Sequence, residues 1–562
     1  MRISKTLKQI QLDKVFGIIE FGEGCRKLIL DFQYMFKDRL NLGSIIVWDD
    51  RQDGLKGKYD VYICCTYERD NAEKKLSDAG LIYLKDYYYA EDLFGLLDDL
   101  ANCKIAYKAY PGTLKGWIKA VAFGHAAKCG IVMPDDKFRS LLCGDYKDGE
   151  ESCKEPKGAY AFSYLAALPE VFTQIFTKGK QYEKYDYICF HSVADAVRFK
   201  KDYPSAANKV ITVEDLKAHA MASKYMRAVY YDRRQNECDC TIPFDTMWVG
   251  IAGTTRICDC PSFLDLSCGN LGITGGFRVW NSPLAEIIRL SVANGNYTFC
   301  SRSQCGKLLV DREQANPSEY RKPSKMDYPL NISIANDSLC NLHCPSCRKE
   351  CHVKYCADEK TELEACTDAL FETGWLETAE RIVVGGSGET FFSDNYKKIL
   401  YESIKKEKEV VVMTNGTLFS TAEWEKMEGK PGRVSFLVSV DAATKETYEK
   451  VRCGGNYERL MVNMEFLSKL RRENKIASVI VVMVVQRANY KEIPDFIRWV
   501  KDLGFDRVNL SRIRNWGTYP EEYFYNCVSM FDKNGKPSPE LVEILKMPIC
   551  NDKIVSKNWE TL

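Results

Sequence analysis

Cys340, Cys344 and Cys347 form a CX3CX2C loop inside NDSLCNLHCPSCRKE, directly after an apolar, strand-like run. Three thiolates at this spacing can hold an iron–sulfur cubane. A 4Fe-4S cluster normally takes four cysteines, so a three-cysteine loop leaves one iron with an open position, as catalytic metal sites keep a place for substrate. Chemistry would occur at that iron. The elements that must position it form a regular series, with strands expected at LNISIAN, RIVVGG, EVVVMTN, RVSFLVSV, ASVIVVMVV and DRVNLSRI. Helical runs such as NYKKILYESIKKEK and IPDFIRWVKDLG lie between them, with apolar residues recurring at three and four. Six βα units predict an α/β core, a partial TIM-type barrel whose site lies at the C-terminal ends of its strands.

Composition narrows the classes. A chain of 562 residues is too long for one ordinary domain. The 79 basic and 78 acidic side chains balance, so no global field recruits nucleic acid or an anionic membrane. The longest apolar run, Ala477 to Val485, is far short of a bilayer span, and MRISKTLKQIQLDK has no apolar signal core. The expected location is cytoplasmic. Twenty-four cysteines in a large chain of that kind point to metal ligation rather than disulfides, and five histidines are too few for a histidine-built centre. So many thiols also suit an anaerobic cell.

CNLHCPSCR resembles the cluster loop of radical S-adenosylmethionine (radical SAM) enzymes over all three ligands. The motif GGSGET, Gly385 to Thr390, resembles the family's GGEP motif, with threonine in place of proline. The resemblance implies that Gly386, Gly388 and Glu389 receive the methionine amino group of SAM, and that Asn415, Ser439 and Asp441, at the ends of strands three and four, contact its ribose or methionine. It also places Arg452 near the SAM carboxylate, against a surface ion pair as the plain alternative. The family's usual aromatic residue before the third cysteine is Ser346 here. Cys351 and Cys356 follow the loop closely but are read as bystanders, because a fourth thiolate would close the open iron. Adenine contacts stay unassigned, with Gln486 and Asn489 nearby.

The stretch from Cys238 to Cys305 holds seven cysteines in 68 residues. Cys240, Gly253, Cys258, Cys300 and Cys305 resemble the CX9-15GX4C framework of SPASM and twitch auxiliary-cluster domains, and WNSPLAEIIRLSVANGNYTFC strengthens the likeness. The resemblance implies at least one auxiliary 4Fe-4S cluster held by Cys240, Cys258, Cys300 and Cys305, with Gly253 in a hairpin between the first two. Cys238, Cys260 and Cys268 are spare. A four-thiolate zinc site is the rival. The family usually places this module after the core, whereas here it precedes it.

Residues 1–235 read as a Rossmann-like α/β region. KYDVYIC and LIYLKDYYYAEDL are echoed by KYDYIC and VITVEDL, which suggests two halves. Gly22 and Gly24 could let backbone approach a phosphate, but Lys27 replaces the third glycine of a dinucleotide fingerprint. Asp49 and Asp50 end the next strand, and His191 with Ser192 follows KYDYICF; a turn and a satisfied loop pair are the plain readings of these. The region loosely resembles binding domains fused to sugar-processing enzymes. The expected units are therefore residues 1–235, an auxiliary module over 236–326, the core over 327–515 and a C-terminal cap over 516–562.

The resemblance implies a radical SAM oxidoreductase or isomerase. It would reductively cleave SAM to a 5'-deoxyadenosyl radical that abstracts hydrogen from a substrate, drawing electrons from a flavodoxin- or ferredoxin-type donor. The N-terminal likeness tilts the substrate towards a sugar, nucleotide sugar or polyol. The alternative is a SPASM-type maturase acting on a ribosomally made peptide or protein. From other classes come a non-catalytic iron–sulfur carrier or regulator and a zinc-stapled carbohydrate-binding protein. Cys453 and Cys527 are the thiols that could return hydrogen in an epimerase.

Overall fold

The computed structural model describes residues 14–20, 28, 29, 32, 41–48, 58–66, 69–83, 85–90, 93, 105–107, 172–174, 187–190, 192–231, 240–258, 267–300, 305, 325–427 and 431–558. Gly22, Gly24, Asp49, Asp50, His191, Cys238 and Cys260 lie outside the described residues. Two four-stranded sheets come first. Strands β1 (Val15–Glu20), β2 (Asn41–Val47), β3 (Val61–Cys65) and β4 (Tyr87–Tyr89) lie in the order β2-β1-β3-β4. Strands β5 (Ile105–Tyr107), β6 (Phe172–Gln174), β7 (Tyr187–Phe190) and β8 (Val210–Thr212) lie in the order β6-β5-β7-β8. All pairings are parallel, and the two orders are the same. The KYDVYIC and KYDYIC echo falls on the third strand of each sheet. In the first, the Asp60 carboxylate accepts the Val15 N–H at 2.9 Å, so the aspartate pins the start of the neighbouring strand.

The third sheet has nine strands. In chain order they are β9 (Thr246–Val249), β10 (Thr255–Arg256), β11 (Asn331–Ile334), β12 (Arg381–Val384), β13 (Glu409–Thr414), β14 (Val434–Ser439), β15 (Ser478–Val485), β16 (Arg507–Arg512) and β17 (Val555–Lys557). Their spatial order is β10-β9-β11-β12-β13-β14-β15-β16-β17. The six expected strands are β11 to β16, parallel and consecutive. Three more join them. β9 pairs in parallel with β11, β10 turns back antiparallel on β9, and β17 pairs with β16. An isolated six-strand series would leave backbone groups bare along β11 and β16; the cysteine-dense middle and the C-terminal segment supply their partners. The sheet therefore runs across residue 326, where the sequence suggests a boundary.

Helices in chain order include α1 (Arg69–Asp78), α2 (Val193–Asp202), α3 (Val213–Tyr231), α4 (Leu271–Thr274), α5 (Pro283–Ala293), α6 (Ala357–Glu372), α7 (Asp394–Lys405), α8 (Lys445–Val451), α9 (Tyr457–Arg472) and α10 (Ile493–Asp502). Their starts are legible in side-chain chemistry. Ser393 caps α7 by accepting the Tyr396 N–H at 3.0 Å, and Asn456 caps α9 by accepting that of Arg459 at 2.7 Å. α7 buries Tyr396, Ile399, Leu400 and Ile404, the three-and-four spacing read from its sequence. Among the described residues no helix is long and apolar enough to cross a membrane.

Helix α6, which follows the three-cysteine loop, packs against two other helices. The Ala194 N–H at the start of α2 donates to Glu362 at 3.3 Å, and Arg198 bridges Asp195 and Asp358. Ser192 caps α2 through the Asp195 N–H at 3.2 Å, the satisfied-loop role anticipated for it. One turn further along the same stripe of α6, α4 presents Gly272, where a Cβ would lie 3.0 Å from the Cys366 nitrogen and 3.1 Å from the Ala365 carbonyl carbon. Backbone cannot yield as a side chain can. Gly272→Ala is expected to cost about 1–3 kcal/mol, seen as faster hydrogen exchange of the α6 amides.

Candidate functional site

The C-terminal ends of β11 to β14 converge on one cavity. Cys340, Cys344, Cys347, Gly386, Gly388, Glu389, Asn415, Ser439 and Arg452 all line it, so every core candidate except Asp441 faces the same space. Asp441 stands one layer behind, paired with Arg452 at 2.8 Å. Thus strand ends far apart in sequence meet where a parallel α/β sheet places its ligands.

A buried aspartate shapes the cysteine loop. Asp337 accepts the Leu339 N–H at 3.0 Å and the Tyr355 hydroxyl at 2.6 Å, and it also takes the Ser393 hydroxyl. Its backbone is held by the Tyr396 hydroxyl, which donates to the Asp337 carbonyl at 2.7 Å. The Cys340 N–H donates to the His352 carbonyl at 3.0 Å, and the His343 N–H to the Cys453 carbonyl at 3.0 Å. Asp337, Tyr355 and Tyr396 carry no sequence motif. The one available signal was the acidic residue in NDSLC, three positions before the first cysteine.

Gly388 and Glu389 of the GGSGET loop meet the cysteine loop through backbone. A Cβ at Gly388 would meet the Leu339 carbonyl oxygen at 2.4 Å, and the Glu389 N–H donates to that oxygen at 2.7 Å. Gly385 and Gly386 have φ of 106° and 117°, a region closed to most side chains. The Glu389 carboxylate, 1% exposed, accepts the Thr414 hydroxyl at 2.6 Å and the backbone N–H groups of Asn415 at 2.7 Å and Phe391 at 3.2 Å. Burial pushes its carboxyl above the usual range against these donors. Its first task is therefore to fasten β12's loop to the end of β13, and an ammonium would come to an acceptor already in place.

Arg452 lies between Asp441 and the cluster loop, its Nη1 3.9 Å from the Cys344 sulfur. Burial would weaken its hold on the proton, but Asp441 and Cys344 more than offset that, so the guanidinium stays charged. Its Nε is buried without a hydrogen-bond partner, which leaves a donor for a ligand. The buried Asp441–Arg452 pair replaces the surface ion pair considered from sequence. Asn489 is committed elsewhere: its amide donates to the carbonyls of Asp441 at 2.8 Å and Val484 at 2.9 Å.

The chemistry of this donor set suits a cubane. Three thiols line a cavity, Asn415 and Arg452 point N–H groups at two of the sulfurs, and Gly386 and Gly388 lie in its wall. Burial pushes the Cys340 thiol up to about 11 and the Cys344 thiol above its ordinary range, so ligation must expel their protons. Cys356 starts α6: its side chain accepts the Glu359 backbone N–H and the Glu359 carboxylate accepts the Cys356 N–H at 2.7 Å, capping the helix.

In the middle region Gly253, at φ of 80°, sits in the turn between antiparallel β9 and β10, the hairpin expected between Cys240 and Cys258. Cys240 and Cys258 are buried, and Cys300 and Cys305 are half-buried. Cys240 and Cys300 share an apolar cluster with Phe244, Val292 and Tyr297, while Cys258 belongs to the main core that Cys300 borders. Cys268 is buried and pushed up to about 11. Among the described residues no three His, Cys, Asp or Glu side chains gather into a single-ion site.

The fold and cavity define a parallel α/β domain with a three-thiol site at its strand ends. Residues 338–500 match the family model described as the radical SAM superfamily, and the chain carries a radical SAM domain. Its cofactors are a 4Fe-4S cluster and S-adenosylmethionine. A stretch of 191 residues is 28% identical to the antilisterial bacteriocin subtilosin biosynthesis protein AlbA of Bacillus subtilis, covering 34% of this chain and 40% of that protein. Another, of 199 residues, is 23% identical to an uncharacterized protein of Archaeoglobus fulgidus, covering 35% and 44%. The chain thus spans less than half the length of these curated relatives. Streptococcus suis SuiB bound to precursor peptide SuiA is similar over 41% of this chain and 48% of that one, at 11% identity and a TM-score of 0.29.

Two substitutions probe the site. Gly388→Ala is expected to part the two loops and weaken SAM binding by about tenfold or more, given a ~1–3 kcal/mol cost of overpacking, as read by anaerobic calorimetry. Asp441→Ala leaves the Arg452 charge buried alone, and a loss of about 3–5 kcal/mol of domain stability is expected in denaturant unfolding.

Proposed function

We propose that this protein is a radical SAM maturase that abstracts hydrogen from a ribosomally made peptide. The observation that carries the chemistry is the single cavity shared by Cys340, Cys344, Cys347, the GGSGET loop, Asn415, Ser439 and Arg452. When bound, the cluster and SAM supply an electron transfer and a carbon-centred radical able to take an unactivated hydrogen. The chain's own groups have narrower tasks. The three thiols hold the cluster, Glu389 fixes the loop that receives the methionine ammonium, and Arg452, oriented by Asp441, offers its spare donor to the carboxylate. Ser439 and Asn415 face the cavity as hydroxyl and amide partners.

The peptide substrate is supported by the relative named for bacteriocin biosynthesis. The sugar or polyol reading rests on an N-terminal likeness of few residues and gains no support from it. Cys240, Cys258, Cys300 and Cys305 are proposed to hold at least one auxiliary cluster, on the strength of the Gly253 hairpin and the shared surroundings of Cys240 and Cys300. A flavodoxin- or ferredoxin-type donor and a cytoplasmic setting complete the proposal.

Anaerobic purification tests it. The protein should be brown and release 5'-deoxyadenosine from SAM and dithionite, with Cys344→Ala abolishing release and Cys300→Ala sparing it. Release should rise on adding a peptide encoded beside the gene and stay unchanged with nucleotide sugars. The opposite preference would restore the sugar reading, and a colourless, iron-free protein would overturn both.

A further inference from the structure

Arg348 immediately follows the third cysteine, and no motif assigns it a role. Its guanidinium donates to the Ser338 carbonyl at 2.7 Å and to the Ser387 carbonyl at 2.9 Å, and its Nη2 lies 3.7 Å from the Cys347 sulfur. Ser338 opens the cysteine loop and Ser387 belongs to GGSGET, so one side chain spans the two loops. With Asn415 3.9 Å from the Cys340 sulfur and Arg452 3.9 Å from that of Cys344, each of the three sulfurs has its own side-chain N–H donor.

The three donors differ in charge. Asn415 is neutral, and the charge of Arg452 is matched by Asp441 at 2.8 Å. Arg348 is held by carbonyl oxygens, and among the described residues no carboxylate forms an ion pair with it. It is the one donor that brings an unbalanced positive charge to the sulfurs. Reduction adds one negative charge to a cluster, and both hydrogen bonds to sulfur and net local charge set how readily that occurs. A cation at this distance, partly shielded from water, stabilises the reduced form.

We propose that Arg348 is a positioning residue that raises the reduction potential of the cluster held by Cys340, Cys344 and Cys347. The inference rests on the radical SAM reading of the site. It assigns the tuning to the unpaired cation, with Arg452 too well matched by Asp441 to supply it.

The test compares the full chain with Arg348→Gln and Arg348→Lys, all loaded anaerobically and titrated with dithionite while the reduced cluster is followed by electron paramagnetic resonance. The Gln variant should show a midpoint potential shifted to more negative values, and the Lys variant should remain near the parent because it keeps the charge. If the Gln variant binds less iron, the potential is read on its loaded fraction, since a midpoint does not depend on occupancy. Equal potentials in iron-loaded parent and Gln variant would overturn the inference alone. So would a Lys variant shifted as far as Gln. A parent that takes up no iron would overturn the functional reading and this inference with it.

Discussion

The site depends on one backbone approach. The Leu339 carbonyl accepts the Glu389 N–H at 2.7 Å while Gly388 passes over the same oxygen with no room for a Cβ. This joint fixes the spacing between the loop that carries the thiols and the loop that faces them. Everything else in the cavity is referred to it: Glu389 reaches from the joint to Thr414 and Asn415, and Asn415 reaches back to Asn341 at 2.9 Å and to the Cys340 sulfur. A closed circuit of short contacts joins three strand ends. Such a circuit can be preorganised because its longest member, the Glu389 side chain, is buried and held by three donors.

The radical SAM core was legible because two signals recur from one strand–helix unit to the next. Strands β12 to β15 are largely apolar runs, and the segments at the ends of β11 to β14, CX3CX2C, GGSGE, TNG and SVD, bring residues that line or back one cavity. What stayed hidden acts through geometry that periodicity does not encode. Asp337 looks like any turn-forming aspartate until Tyr355, Ser393 and Tyr396 arrive from later segments. Arg348 looks like a solvated charge until two carbonyls from different loops meet it. Asn489 lay near the site in sequence, yet its amide holds the Asp441 backbone rather than facing the cavity.

The middle region was legible locally and obscure globally. The glycine between Cys240 and Cys258 predicts a hairpin, and Gly253 turns one. That the hairpin would continue the core's sheet could not be read from it, because β9 and β10 are four and two residues long and carry too little alternation to declare a partner. Pairing was decided by the exposed edge of β11, a tertiary fact. The same limit applies to β17, three residues long in an otherwise irregular segment.

Those short strands have a consequence for how the protein behaves in a crowded cell. The nine-stranded sheet is open, and an open sheet presents a template at each margin on which another chain can add. Among the described residues the margins are β10, with two residues and the opposite chain direction, and β17, with three. The first reverses polarity just where a parallel neighbour would seek to join, and both are too brief to offer a long ladder. The elements that complete the core's hydrogen bonding therefore also blunt its capacity for self-association through the sheet, so a chain that carries long apolar strands such as SVIVVMVV keeps them in the interior of the sheet and away from other copies of itself.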